Sequence, residues 1–381
     1  MSLILTEPTT YEFVFLSVFF LALIVQLFFY FLIYLRVPIF KIKTSIQADV
    51  DLLPVSVIIC ARNEEMNLES FLPLVLEQKY PNYEVIVVDD CSTDDTDMLL
   101  KRFLKRYDHL RVTTIKQDDK FSHGKKLALT IGIKAAKHEW VLLTDADCKP
   151  ESNEWIATMA SNFDATNQVV LGYGGYISQK GFLNKFLRFD TFFIALQYFG
   201  FALMGKPYMG VGRNLAYRKE LFFQNKGFAS HSHLSSGDDD LFIHQVANKR
   251  NTAVEFRVNS HTRSVPQATL SEWIKQKRRH LTSSPLYKTS TKVWLGLEPL
   301  TRILFWASGI VLLAEQFNTI IIASIMSFRV LSMFIILKIA MNRLNERKIF
   351  ILSLIYDLFA PLLISSLMLI NRLTKKRSKW N

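Results

Sequence analysis

The stretch PVSVIICARNEEMNLESFLPLVLEQKYPNYEVIVVDD, Pro54 to Asp90, decides the fold class. Its opening run, Pro54 to Cys60, is too apolar for a half-exposed strand and is bounded by turn signals, so it predicts a strand buried on both faces. A helical stretch follows around Glu65 to Gln78, and Tyr83 to Asp90 reads as a second buried strand. The alternation continues downstream. A helix opens at Ser92 with Asp95 as its capping-box acid, Val112 to Ile115 is a strand, a helix starts at Gly124, and Trp140 to Asp145 is a further strand. Strands alternating with helices at this spacing read as parallel βαβ units of an α/β fold. Ligands bind such sheets beyond the carboxyl ends of the strands. Arg62, Asp89, Asp90, Asp145 and Asp147 all fall there.

Outward from this region the texture changes. The chain has 381 residues, half of them hydrophobic, and a formal net charge of +12. That is too apolar for disorder and too charged to be all membrane. Tyr11 to Val37 runs almost unbroken in apolar side chains, with Gln26 strongly polar inside it, and is long enough to span a bilayer. It is too long for a signal-peptide core and shows no small-residue cleavage site. Arg36, Lys41 and Lys43 follow it, so the positive-inside rule places residues 1–10 outside and the following domain in the cytoplasm of a multi-pass protein of the cell membrane. A linker covers residues 38–52, the α/β domain 53–267, and an amphipathic interfacial region 268–296. Two or three spans follow over 297–371, and a basic tail over 372–381. Ile303 to Met341 is too long for one span, and Glu315, Gln316 and Asn318 mark a turn that splits it. Ile349 to Ile370 is the third candidate. Arg329, Lys338 and Asp357 are ionisable groups in or beside these segments, expected to face other helices or an aqueous cavity instead of lipid. Three spans put the basic tail outside; two leave Arg343, Arg347 and Lys348 outside.

Several clusters suggest chemistry. Asp145-Ala-Asp147 leaves a strand, and if the extended geometry persists both carboxylates point to one face. A divalent cation is held by one or two carboxylates together with phosphate oxygens, which suits a diphosphate substrate; a simple loop turn is the bland alternative. Asp238-Asp239-Asp240 precedes an apolar helical pattern. Carboxylates in a first helical turn are stabilised by the macrodipole, yet three exceed what a cap requires, and one held near a hydroxyl can serve as general base. Gln276, Arg279 and His280 share a face of a basic amphipathic helix, a type that docks on membrane surfaces.

The segments VSVIICARNEE, YPNYEVIVVDDCSTDDT, GKKLAL, LLTDADC, GVGRNLAYRK, SGDDDLF and QKRRH, in this order, resemble the family 2 glycosyltransferases over roughly Pro54 to His280. The membrane-bound branch with the hyaluronan, cellulose and poly-N-acetylglucosamine synthases is similar. The resemblance implies a GT-A nucleotide-diphospho-sugar transferase domain, a Rossmann-like mixed sheet, with transmembrane helices at both ends. It implies inverting transfer from a nucleotide-diphosphate sugar, a UDP-sugar first, with one Mg²⁺ or Mn²⁺ ion. By position, Asp90 matches the nucleobase-contacting acid beside Asp89, Arg62 a further nucleotide contact, and Lys125 the basic residue near the donor phosphates. Asp145 matches the nucleotide-side acid of the Asp-x-Asp motif and Asp147 the metal-bound one. Gly210, Gly212, Arg213 and Asn214 match the loop beneath the acceptor. The base is open by one position: a Gly-Asp-Asp match selects Asp239, a Glu-Asp-x-Asp-Leu pattern Asp238, and we favour Asp239. Processive relatives carry Gln-x-x-Arg-Trp; here His280 replaces the Trp and reproduces its sugar platform only partly. Arg279 remains available to a departing diphosphate.

The expected activity is therefore transfer of a hexosyl or N-acetylhexosaminyl unit to a lipid-linked or membrane-proximal glycan, in polysaccharide or glycolipid synthesis. Processive polysaccharide synthesis coupled to export is the rival, and a non-catalytic membrane scaffold or a nucleotidyltransferase the readings of another class. A scaffold should have lost an acid from the set, and none is lost. Nucleic-acid binding has no recognisable module here. Cys60, Cys91 and Cys148 each lie at or just past a strand end; zinc would need them to converge with a fourth ligand. Phe182 to Met209, rich in aromatics but interrupted by Lys185, Arg188 and Asp190, is either a buried helix or an interfacial one.

Overall fold

The computed structural model describes residues 7–42, 52–116, 124–234 and 236–374, so Lys43 and the tail from Lys375 to Lys379 lie outside the described residues. The chain divides into two compact units, one built from residues 1–40 and 287–375 and the other from 41–286.

Helix α1 (Thr10–Phe28) begins the first unit under a capping box, in which Thr9 and Glu12 satisfy each other's backbone N–H. It runs through a π-helical stretch, Phe29–Tyr34, into the short α2 (Arg36–Ile39).

In the second unit β1 (Val55–Ala61), α3 (Glu65–Leu76), β2 (Tyr83–Asp90), α4 (Thr96–Leu104), β3 (Leu110–Ile115), α5 (Lys125–Ala135) and β4 (Trp140–Asp145) alternate as expected. Then come β5 (Cys148–Pro150), α6 (Trp155–Ala160), β6 (Val169–Gly172), β7 (Gly174–Tyr176), α7 (Phe182–Leu203), β8 (Leu215–Arg218) and α8 (Lys219–Gln224). The unit closes with α9 (Asp240–Val246), β9 (Thr252–Glu255), β10 (Thr262–Ser264) and α10 (Leu270–His280). The main sheet has the order β3-β2-β1-β4-β8-β6-β9. Its first four strands are parallel, and β8 runs antiparallel to both β4 and β6. All seven residues of β1 are buried, which is why its sequence shows no alternation. A small sheet, β5-β10-β7, lies beside the end of β4.

One expected helix start is corrected. α4 begins at Thr96, four residues past Ser92, and Asp95 at its N-cap makes no side-chain cap bond. Ser92 Oγ instead accepts from Asn63 N–H at 2.9 Å, and its own N–H donates to Asp89 Oδ1 at 3.2 Å. A short polar side chain offered partners outside the helix leaves the helix. The segment from Phe182 forms α7, which is mostly buried within the second unit. Its Asp190 carboxylate accepts from Lys277 Nζ of α10 at 2.8 Å to each oxygen. Trp273 of α10 is buried against Phe186, so α10 packs into this unit through Trp273 and Lys277.

The chain returns to the first unit with α11 (Thr289–Ala314), α12 (Thr319–Arg343) and α13 (Leu352–Thr374). The turn expected at Glu315 to Asn318 is present, with Gln316 and Asn318 in the left-handed region at φ +56° and +39°. α11 starts at Thr289, within the stretch expected to be interfacial. Residues 10–39 and these three helices are long and apolar enough to cross a membrane. Gln26, the polar interruption of α1, donates to the Glu298 carbonyl and Thr301 Oγ1, both at 2.9 Å. Arg329 Nη2 donates to Gln26 Oε1 at 2.6 Å, to Tyr30 Oη at 3.1 Å and to Asp357 Oδ1 at 2.9 Å, and Arg329 Nη1 also bonds Asp357. Trp306 Nε1 reaches Asp357 Oδ2 at 2.8 Å, and Arg302 pairs with Glu298. Glu298, Arg302, Arg329 and Asp357 are all buried and each has an opposite partner, the condition under which charges survive away from water.

Candidate active site

The site assembles at the carboxyl ends of β1, β2 and β4. The backbone turns at Ala146–Asp147, so the two acids of Asp145-Ala-Asp147 are not carried to one face by an extended strand. The turn brings them together all the same: carboxylate oxygens of Asp145 and Asp147 and the Cys148 sulfur lie within 4.8 Å of one another. Ser264 Oγ donates to Asp147 Oδ2 at 2.7 Å, and the Cys148 thiol lies 3.3 Å from Oδ1. Burial, then the charge of Asp145, raises the Asp147 carboxyl. Two crowded carboxylates, hard oxygen donors, fit a Mg²⁺ or Mn²⁺ ion. Burial and the same two acids keep the Cys148 thiol protonated well above its ordinary range. Among the described residues Cys60 and Cys91 join no metal-holding group.

Lys125, first residue of α5, lies across this cluster. Its Nζ donates to Asp145 Oδ1 at 2.7 Å and stands 3.4 Å from Asp238 Oδ2. Burial opposes its charge, but Asp145, Asp238 and Asp239 together outweigh burial and hold it protonated. Asp238 is buried as well; Lys125 chiefly, helped by Arg279 and Lys126, keeps it ionised. Its neighbour behaves oppositely. Burial first, then repulsion from Asp238 and Asp240, pushes Asp239 up to about 7, only partly offset by Lys125 and by the Gly212 N–H. That N–H donates to Asp239 Oδ2 at 2.8 Å, and Asp240 N–H donates to Oδ1 at 2.7 Å, making Asp239 the N-cap of α9. Asp240 is bonded by Ser283 Oγ, and Ser236 Oγ donates to the Arg279 carbonyl at 3.0 Å, so the acidic loop is tied to the end of α10. The three consecutive acids thus do three different things.

A family profile described as glycosyl transferase family group 2 matches residues 140–360, more than half of the chain, and one described as glycosyl transferase family 2 matches residues 56–223. The chain belongs to the family 2 glycosyltransferases. Glycosyltransferase AglE of Haloferax volcanii is 32% identical over 120 residues, covering 31% of this chain and 38% of that one. A poly-beta-1,6-N-acetyl-D-glucosamine synthase of Staphylococcus epidermidis is 34% identical over 93 residues, 24% of this chain and 21% of the relative. The beta-1,3-glucosyltransferase WfaP of Escherichia coli is 30% identical over 132 residues, 34% of this chain and 48% of the relative. Each match spans less than half of the relative's length. The solved mannosyltransferase PcManGT of Pyrobaculum calidifontis, in complex with GDP-Man and Mn²⁺, superposes over 92% of this chain and 99% of its own at a TM-score of 0.57 and 17% identity. That likeness speaks for the GT-A fold.

In this family 2 glycosyltransferase the first two loops are stitched together. Asn63 (φ +55°) and Cys91 (φ +59°) both take left-handed backbone, and Asn63 Oδ1 accepts from Thr93 N–H at 2.7 Å. Asp89 and Asp90 are almost fully buried, Asp89 serving Ser92 N–H, while Arg62 is partly exposed. Gly212 lies beside the acid cluster: a Cβ there would stand 3.5 Å from Lys125 Nζ and 3.7 Å from Asp239 Oδ2. Asn214, expected under the acceptor, is instead an interior pin. It is fully buried, accepts from Trp155 Nε1 at 3.0 Å, and donates to the Tyr173 and Ser260 carbonyls at 3.0 and 2.6 Å. Gln276 Oε1 accepts from Tyr176 Oη at 3.1 Å, whereas His280 is exposed. Tyr176 and Ser264 escaped sequence reasoning, since β7 and β10 are three-residue strands with no periodicity to read. Glu64 escaped it too. Burial, against an Asn67 hydrogen bond of 2.6 Å, pushes it up to about 7 near Asp147 and Asp145; its position in the loop after β1 was the available signal.

Proposed function

We propose that this protein transfers a hexosyl or N-acetylhexosaminyl unit, with inversion, from a nucleoside-diphosphate sugar, a UDP-sugar first, to a hydroxyl of a lipid-linked or membrane-proximal glycan. The observation that carries the reading is Asp239, raised to about 7 and fixed by Gly212 N–H, beside an acid pair bridged by Lys125. A carboxylate with a pKa near working pH is an effective general base. Asp239 takes the acceptor hydroxyl proton as that oxygen bonds to the anomeric carbon, and the bond from that carbon to the diphosphate breaks on the opposite face. One displacement gives inversion; a hydrolase would flank the bond with two carboxylates and has no use for a phosphate site. Asp145 and Asp147 would hold Mg²⁺ or Mn²⁺, which supplies charge neutralisation for the leaving diphosphate. Lys125 keeps Asp238 ionised and holds Asp145 by a direct hydrogen bond. Asp90, with Asp89 shaping its loop, and Arg62 face the nucleoside, and Arg279 with Gln276 serves the leaving group.

The basic residues Arg36 and Lys41 after α1 support a cytoplasmic catalytic unit, and three crossings by α11, α12 and α13 then put Arg343, Arg347 and Lys348 on that same side. Processive synthesis is the second reading, favoured by the relatives named poly-beta-1,6-N-acetyl-D-glucosamine synthases. An exposed His280 in place of an indole platform favours few additions, and product length from purified protein separates the two.

The test is Asp239→Asn. We expect transfer to fall by at least about 10³-fold while nucleotide binding persists. Full turnover by this variant moves the base to Asp238.

A further inference from the structure

Arg213 follows Gly212, and its guanidinium lies 4.8 Å above the Tyr176 ring. Its Nη1 is buried and has no hydrogen-bond partner among the described residues. A buried cationic donor without an acceptor is costly, and a folded chain tolerates it where a ligand brings the acceptor. The loop around it is held in place. Thr262 Oγ1 donates to the Arg213 carbonyl at 2.9 Å, Asn214 is anchored inside the domain, and a Cβ on Gly174 would come within 2.9 Å of Arg213 Cβ. The ring beneath it is held too, by the Tyr176 hydrogen bond to Gln276. Thr262 shares β10 with Ser264, which pairs with Cys148 and donates to Asp147 Oδ2 at 2.7 Å, so the strand that holds the Arg213 backbone also holds the Asp-x-Asp turn. Lys125, the cation expected at the donor phosphates, is already engaged by Asp145 and Asp238.

We propose that Arg213 is a phosphate-binding cation of this site, its buried Nη1 taking an oxygen of the donor's diphosphate next to Asp147, while Lys125 remains within the acid cluster. The inference rests on the glycosyltransferase reading above. Guanidinium presents fixed paired donors that match phosphate oxygens, and stacking on Tyr176 orients the fork before the ligand arrives. A phosphate of a lipid-linked acceptor offers the same chemistry, and the neighbouring Asp147 and Asp145 favour the donor.

The experiment uses the full chain in detergent with Mn²⁺, titrated with UDP, UMP, GDP and GMP. Arg213→Met should weaken binding of the diphosphate by about tenfold or more while the matching monophosphate stays within about twofold, with Arg213→Lys in between. Equal losses for both nucleotides, or unchanged diphosphate affinity, overturn the assignment. If diphosphate affinity is unchanged and the acceptor KM rises, the guanidinium serves an acceptor phosphate instead. A wild-type chain that binds none of the four overturns the donor reading itself.

Discussion

Asp239 is pulled two ways, because the bonds that fix it also tend to hold its proton off. The N–H groups of Gly212 and Asp240 favour its charged form, while burial and two flanking carboxylates favour the neutral one and prevail. A base works only when deprotonated, and a raised pKa means that the proton is bound below about 7. We therefore expect kcat/KM to climb with pH through about 7 and level off above it; a profile flat down to pH 5 would sink the assignment. Gly212 gives a second test. Its φ is not left-handed and a Cβ would make ordinary contacts, so Gly212→Ala should fold with an unchanged melting temperature. The added methyl fills space beside Asp239 and Lys125, so kcat/KM for the acceptor should drop by about tenfold or more; unaltered kinetics would remove this loop from the acceptor path. Residue identities were legible at this scale, since acids crowd where strands end. Asn214 shows the limit: a polar residue in a site-like loop can face the interior, and only packing reveals its three buried bonds.

At the scale of elements, the expected alternation is the observed one from β1 to β4, because strands buried on both faces carry continuous apolar runs that periodicity detects. Boundaries slip where side chains compete with the helix, as Ser92 does before α4. The small sheet was illegible, for three-residue strands hold no pattern. How α5 meets the sheet gives a prediction of opposing terms. Alanine is better than glycine inside a helix by about 0.5–1 kcal/mol, which argues that Gly132→Ala stabilises. A Cβ at Gly132, however, would lie 2.6 Å from Ile58 Cγ2 and 3.2 Å from Val88 Cγ2. Overpacking typically costs about 1–3 kcal/mol, so the variant should lose about 1–2 kcal/mol in thermal or urea unfolding. A gain would mean that helix and sheet can move apart.

For the molecule as a whole, apolar length located the helices of the first unit, and two of the ionisable residues singled out among them, Arg329 and Asp357, pair inside it while Lys338 is exposed. Pairing itself needed the structure, because Gln26, Arg329 and Asp357 are far apart in sequence. Removing one partner of a buried pair costs about 3–5 kcal/mol, whereas replacing both with apolar groups costs far less. Asp357→Leu should therefore lower the melting temperature in detergent markedly, and Arg329→Met with Asp357→Leu should restore most of it. If the double variant is as weak as the single, the pair is not what holds these helices together.

The hydrogen bond from Gln26 to Glu298 joins residues 272 positions apart. At roughly 5–20 residues per second of synthesis, Gln26 is made about 15–55 seconds before its partner exists. During that wait a polar amide in an apolar helix must be shielded by water or by an insertion factor. Biogenesis, as much as the finished architecture, then sets how polar the first helix can be, and a Gln26→Leu chain should insert faster even as its finished unit loses a tie.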